Sequence, residues 1–160
     1  MYTGDDLLFD RGEDTPELLR SQFSRLVGMT AVQSGRVAGN ALRGVGAHKD
    51  HFVVLAALAE FGPASQATLS GRTRVYKSDL VAVLNELEAG GWIRRTPDPA
   101  DKRRNVITVT AAGRRRLAEL TEVLDGANER ILAPLAPDER AQLFALLGRI
   151  NTHLAGSERG

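Results

Sequence analysis

The stretch Asp98-Pro-Ala-Asp-Lys-Arg-Arg-Asn-Val-Ile-Thr-Val-Thr-Ala-Ala-Gly113 decides the fold of this chain. A turn rich in Asp and Pro leads into three consecutive cations, Lys102, Arg103 and Arg104. The run Val106-Ile107-Thr108-Val109 then alternates as a strand does, and Thr110 is placed to cap a helix. Upstream, Trp92-Ile93-Arg94-Arg95 supplies a second strand. The segment between them, Thr96 to Asn105, is too long for a tight hairpin turn. Before that strand, Leu80, Val83, Leu84 and Leu87 recur with helical spacing. They predict a helix from about Val75 to Ala89, stopped by Gly90-Gly91. Helix, strand, basic tip and return strand make a winged helix-turn-helix, which holds a helix in a DNA groove while the wing reaches the backbone.

Working outward, Ser65 is placed to cap a short helix over Gln66 to Ser70, and Gly71 to Arg74 form the turn. A further helix covers roughly Lys49 to Glu60 and ends at Gly62-Pro63. Thr15-Pro16-Glu17 reads as a helix start, with Thr15 as N-cap and Pro16 at the first helical position. That helix is expected to run to about Leu42, and the five acids of residues 1–14 to form a mobile tail. After the wing, Leu117, Leu120, Leu124, Ala127 and Ile131 step by three and four, a seam suited to a partner helix. Pro134 and Pro137 break the pattern, and a last helix from Asp138 carries Leu143, Leu146, Leu147, Ile150 and Leu154. The fold class is mainly α with a small β-wing, a winged helix-turn-helix flanked by N- and C-terminal dimerisation helices. One structural domain divides into a tail (1–14), an N-terminal helix (15–45), the winged helix (46–113) and C-terminal helices (114–155).

Charge supports the same division. The net charge of +1 hides a basic centre. From Gly62 to Arg116 there are eleven Lys and Arg against five Asp and Glu, while both flanks are acidic. Cations gathered on one supersecondary unit point to a face for a polyanion. The absence of cysteine excludes disulfides, thiolate metal sites and cysteine redox switching. The acidic N-terminus lacks the pattern of a signal peptide, and no apolar run is long enough for a membrane span, so a cytoplasmic protein is expected. No phosphate loop, His-Glu-x-x-His or nucleophile triad is visible, which argues against an enzyme and implies no cofactor.

These residues resemble the MarR family of bacterial transcription regulators. The family's wing pattern of Asp-x-Arg, strand and Thr-x-x-Gly stands here as Asp101-Lys102-Arg103, Val106 to Val109 and Thr110-Ala-Ala-Gly113. Its recognition-helix pattern is met by Lys77-Ser78, Leu80, Leu84, Leu87-Glu88 and Gly91. The order of elements fits from about residue 15 to 155. The resemblance implies a homodimer bound to a pseudo-palindromic operator, usually as a repressor. It also implies a cleft for small aromatic acids between the dimer helices and the winged helix, with Arg43, His48, His51 and Phe52 as lining candidates. Ala82 departs from the family, which often has Arg or another long polar residue there, and Asp79 is unusual on a face that approaches DNA.

The candidate DNA contacts follow. Arg103 at the wing tip is suited to the minor groove, where negative potential is focused. Lys102 and Arg104 are expected on phosphates, and Asp101 as a brace for the wing. Lys77 and Ser78 open the recognition helix, with Val81 and Ala82 outward on the next turn, able to pack on a thymine methyl. Asp79 is expected to cap that helix. Arg72 and Arg74 in the turn are candidate phosphate clamps. At most one of Arg94 and Arg95 should face DNA, because neighbours on a strand point to opposite sides. Arg114 to Arg116 read as a solvated helix start. His48 and His51, spaced i, i+3, could present two imidazoles to a metal with His153 joining them, but polar residues opening a helix explain the pair as well, and no metal is assigned. A second class of function, a winged-helix module that binds an acidic protein rather than DNA, is compatible with the same basic face.

Overall fold

Helix breakers and apolar periodicity divide the chain into seven α-helices and three short strands, seen in a computed structural model that describes residues 4–157. In order they are α1 (Glu17–Arg20), α2 (Phe23–Arg43), α3 (Lys49–Phe61), β1 (Ala64–Ser65), α4 (Gln66–Thr73), α5 (Lys77–Ala89), β2 (Ile93–Pro97), β3 (Asn105–Val109), α6 (Ala111–Ile131) and α7 (Pro137–Ser157). The strands form one antiparallel sheet in the order β1-β3-β2. Ile93 pairs with Val109 and Pro97 with Asn105 across the wing. The third strand, absent from the sequence reading, pairs Ala64 with Ile107 and Ser65 with Val106. Two residues carry no readable alternation, so only their partner strand reveals them.

The winged helix surrounds a core made from the predicted stripe. Leu80, Val83, Leu84 and Leu87 of α5 are buried against Val54, Leu55 and Leu58 of α3, Leu69 of α4, and Ile93 and Ile107 of the sheet. Leu42 of α2 and Leu120 of α6 close it, because α6 lies along both α2 and α3. The seam from Leu117 to Ile131 is therefore largely satisfied within the chain. Leu120 and Ala127 are buried, and Leu117 and Leu124 pack on the core. Such a repeat specifies helix-on-helix packing but not whose helix supplies the partner.

What is left unpartnered lies elsewhere. None of the residues of α7 is buried. Phe144 (69% exposed), Leu146, Leu147, Ile150 and Leu154 are open to solvent, as are Leu18, Leu19, Phe23 and Leu26 near the N-terminus. An apolar groove of about 820 Å³ runs between Phe23 and Val27 of α2 and Leu143, Leu147 and Leu154 of α7.

Several boundaries differ from the sequence expectation. The tail, expected to be mobile, is docked from Gly4 onward as two 3-10 turns, while residues 1–3 lie outside the described residues. Leu7 is buried, the Gln33 amide donates to the Leu7 carbonyl (2.8 Å), and Arg25 donates to the Phe9 carbonyl (2.8 Å) while covering its ring. Thr15 does not cap a helix: its hydroxyl accepts from the Arg11 amide (2.8 Å) and is buried. Pro16 flanks the four-residue α1 rather than opening a long helix, and the Ser21 hydroxyl bonds back to the Leu18 carbonyl (3.3 Å) at the break before α2. The α4 helix runs on to Thr73, and α5 starts at Lys77 rather than Val75. Pro137, taken as a breaker, is the first residue of α7. Proline suits that place because its missing N–H would be unpaired there anyway, and the Glu139 carboxylate reaches back to the Ala136 amide (2.9 Å) as in a capping box.

Candidate nucleic-acid interface

The α4–α5 turn is fixed by short-range hydrogen bonds. Ser65 caps α4 by accepting from the Thr68 amide (3.2 Å). The Ser70 hydroxyl donates to the Val75 carbonyl (2.9 Å), and Arg74 adopts a left-handed conformation (φ 57°) that turns the chain. With Val75 buried and Leu80, Val83, Leu84 and Leu87 inward, α5 presents Lys77, Ser78, Asp79, Val81, Ala82 and Asn85 to solvent, the face read from the periodicity. Asp79 makes no capping hydrogen bond, contrary to expectation. Tyr76 holds the N-cap place, and the Asp79 carboxylate accepts only from the Ser78 hydroxyl (3.4 Å). Its charge still sits in the first turn, where the positive end of the helix favours it.

The wing tip is built around Asp101. Its Oδ1 accepts from the Arg103 backbone amide (3.1 Å) and from Arg103 Nε (3.3 Å), and Arg104 Nε lies 3.8 Å from Oδ2. Backbone bonds from the Asp98 amide to the Arg104 carbonyl (2.8 Å) and from the Arg104 amide to the Asp101 carbonyl (2.9 Å) close the loop. The Arg103 side chain remains 91% exposed, and Lys102 and Arg104 are exposed as well. Where the wing meets α4, Arg103, Arg104 and Asn105 share a recess of about 330 Å³ with Ser65, Gln66 and Ala67. Two guanidiniums and a helix N-terminus around one recess suit an anion. Arg72 lies over the Phe61 ring (5.0 Å) and is exposed with Arg74.

The two strand arginines part as expected. Arg94 is exposed, whereas Arg95 turns to α5 and donates to Asn85 Oδ1 (2.8 Å) and Glu88 Oε1 (2.8 Å), with its amide on Glu88 Oε2 (3.1 Å). This pairing pulls the Glu88 carboxyl below its ordinary value and raises the Arg95 guanidinium. Arg116 is not a solvated helix start: it lies over the Trp92 ring (4.6 Å), donates to the Val45 carbonyl and pairs with Glu119 (2.7 Å).

Of the residues assigned to a ligand cleft, His48 and His51 meet at the start of α3, ring centroids 3.9 Å apart. The third group is Glu86 of α5, whose Oε2 lies 3.2 Å from His48 Nε2 and 2.5 Å from His51 Nε2. His153, which the sequence offered as a further imidazole for the pair, is exposed on α7. His51 is 5% exposed. Burial lowers its pKa, opposed in part by the Glu86 hydrogen bond, while His48 and Arg116 lower it further. Hydrogen bonds from His51 and His48 hold the Glu86 carboxyl below its ordinary value. A neutral His51 donating from Nε2 to a charged Glu86 satisfies both directions. Arg43 donates to the Asn40 side chain, and Phe52 is half-buried against the core.

Comparison with known proteins gives this geometry a family. A model described as the MarR family matches residues 44–104. The transcriptional regulator HosA of Escherichia coli O111:H- is 34% identical over 101 residues, 63% of this chain and 74% of the relative. The chain belongs to the MarR family. The HTH-type transcriptional repressor NicR of Pseudomonas putida is 27% identical over 146 residues, 91% of this chain and 87% of that protein. Among solved structures, the PcaV transcriptional regulator from Streptomyces coelicolor superimposes with a TM-score of 0.73 at 25% identity, covering 85% of this chain and 99% of the other. MarR-family proteins are non-enzymatic transcription regulators, and the winged helix described above is their architecture. Among the described residues no helix is long and apolar enough to cross a membrane.

Within this MarR-family fold, sequence reasoning missed Glu86, and met Glu88 only as part of the recognition-helix pattern without its partner. Glu86 and Glu88 reach α3 and β2, so their partners are 35 and 7 residues away. The only signal for Glu86 was an acid on an outward face of a helix whose neighbours are cationic.

Proposed function

We infer that this chain is a homodimeric, sequence-specific DNA-binding repressor that recognises a pseudo-palindromic operator. The observation that carries this reading is the shared recess of Arg103, Arg104 and the start of α4, together with the exposed face of α5. It supports a phosphate at the recess, Arg103 reaching the minor groove, and the Lys77–Ala82 face in the major groove. Lys102, Arg72 and Arg74 add phosphate contacts, and Asp101 holds the wing in shape. Val81 and Ala82 offer apolar contact to a thymine methyl, while Ser78 and Lys77 lie where first-turn side chains meet base edges. Dimerisation through α1, α2 and α7 is supported by their open apolar faces, which a lone chain leaves in water. The small-molecule response expected from the family would act at the α2–α3 junction, around Arg43, His48, His51 and Phe52.

The test compares wild type with Arg103→Ala and Lys102→Ala on operator and random DNA across a salt series. Both variants should weaken binding, and each lost phosphate or groove contact should reduce the salt slope by about 1. Unchanged affinity and slope for Arg103→Ala would remove the wing from the interface. Stoichiometric capture of an acidic protein without DNA enrichment would favour a protein-interaction module instead.

A further inference from the structure

The His48–His51–Glu86 cluster joins the start of α3 to the third turn of the proposed recognition helix. Its three donor atoms lie within 4.8 Å of one another. His48 and Glu86 are open to solvent, and His51 is buried beneath them. None of the proposed DNA contacts uses this cluster, although His48 and His51 also border the cleft expected for a small molecule. We propose that His48 Nε2, His51 Nε2 and a Glu86 carboxylate oxygen form a regulatory Zn²⁺ site that couples metal to operator binding.

The donor set fits the ion. Bonds of about 2.0–2.2 Å to imidazole nitrogen and carboxylate oxygen place tetrahedral donors roughly 3.3 Å apart. The His48–Glu86 separation of 3.2 Å already matches. The 2.5 Å His51–Glu86 contact is a hydrogen bond, and the metal takes the place of its proton. Only sub-ångström to ångström-scale side-chain adjustments are needed, and the exposed mouth leaves a fourth position for water. Two imidazoles select zinc and its late-transition-metal neighbours over Mg²⁺ and Ca²⁺. His51 Nδ1 is buried without a hydrogen-bond partner. Metal-bound imidazoles usually have an acceptor behind that second nitrogen, so the site should hold zinc at the micromolar level that suits a reversible sensor.

The coupling follows from position and charge, and rests on the DNA-binding reading above. Ser78, Ala82 and Glu86 are spaced by four on α5, so Glu86 continues the outward stripe. A dication there converts a negative spot on a helix facing a polyanion into a positive one. It also pins α5 to α3. Zinc is therefore a corepressor that tightens operator binding.

The full chain, stripped with chelator, should bind a single Zn²⁺ per protomer by calorimetry, and Co²⁺ should give the visible absorption of a tetrahedral site. His48→Ala and Glu86→Gln, both at exposed positions, should lose the isotherm and the absorption while keeping the wild-type circular dichroism. Mg²⁺ should do nothing. Zinc should tighten operator binding by roughly tenfold in wild type, and not in His48→Ala. Absence of zinc binding, or equal binding in wild type and both variants, overturns the site. Zinc binding with unchanged operator affinity overturns the coupling. If no DNA binds with or without zinc, the DNA-binding reading falls, and the calorimetry still decides the site.

Discussion

Thr110 and Gly113 explain at the level of single residues why a short sequence pattern can mark a fold. The Thr110 hydroxyl accepts from the Gly113 amide (3.0 Å) and donates to the Gly91 carbonyl (2.7 Å), while its own amide bonds the Trp92 carbonyl (3.0 Å). The start of α6 is thus tied to the turn that ends α5. A Cβ on Gly113 would lie 2.0 Å from the Trp92 carbonyl oxygen, an atom of backbone that cannot step aside. Gly113→Ala should therefore cost about 1–3 kcal/mol or more by chemical denaturation; wild-type stability would contradict the packing. Thr110 and Gly113 were legible in the sequence, as was the Asp101–Arg103 pair at the wing. Asp101→Ala separates bracing from stability. Exposed ion pairs contribute only about 0–1 kcal/mol, so the thermal midpoint should hardly move while operator affinity falls. A variant that binds the operator like wild type would show that the wing keeps its shape without Asp101.

At the scale of elements, what the sequence made legible was periodicity, and what it hid was anything decided by a distant partner. The buried stripe of α5 was readable because Leu80, Val83, Leu84 and Leu87 repeat at helical spacing. Leu84→Ala, at a position with no exposed surface, should lose about 2–5 kcal/mol. The start of α5 falls at Lys77 rather than at about Val75, which is buried in the turn ahead of the helix. The Glu88–Arg95 strap between α5 and β2 was invisible because its two ends sit on different elements. It carries a pH signature. The Glu88 carboxyl is held below its ordinary value of 4.5, chiefly by the Arg95 hydrogen bond. A depressed carboxylate contributes stability that is complete above that value and disappears as pH falls through the lower folded one. Glu88→Gln should unfold earlier than wild type at neutral pH, and the thermal melts should converge once pH falls below the lowered folded value of Glu88. A gap that stays constant into acid would mean the strap is not ionic.

For the whole molecule, the distribution of apolar surface is the basis for the proposed dimer. The α6 seam spends its hydrophobic face on α2 and α3 of the same chain, while α7 buries nothing. A 21-residue helix with its apolar side in water is unlike an ordinary monomer surface. The sequence located these apolar positions in both flanking regions, and within the chain it is the α6 seam, not the α7 face, that finds a partner. Leu147→Glu should convert the protein to a monomer by light scattering at micromolar concentration and weaken operator binding, since both half-sites then have to be filled independently. A monomeric wild type would remove the dimer from the account. The basic winged helix is proposed to read DNA. That reading is tested most directly by fluorescence anisotropy on a duplex from the protein's own upstream region, with random DNA as control, across a salt series. A DNA-reading winged helix should bind the upstream duplex tightly and random DNA more weakly, with a steep loss of affinity with salt. Equal weak binding to both duplexes, or none at low salt, would contradict that reading.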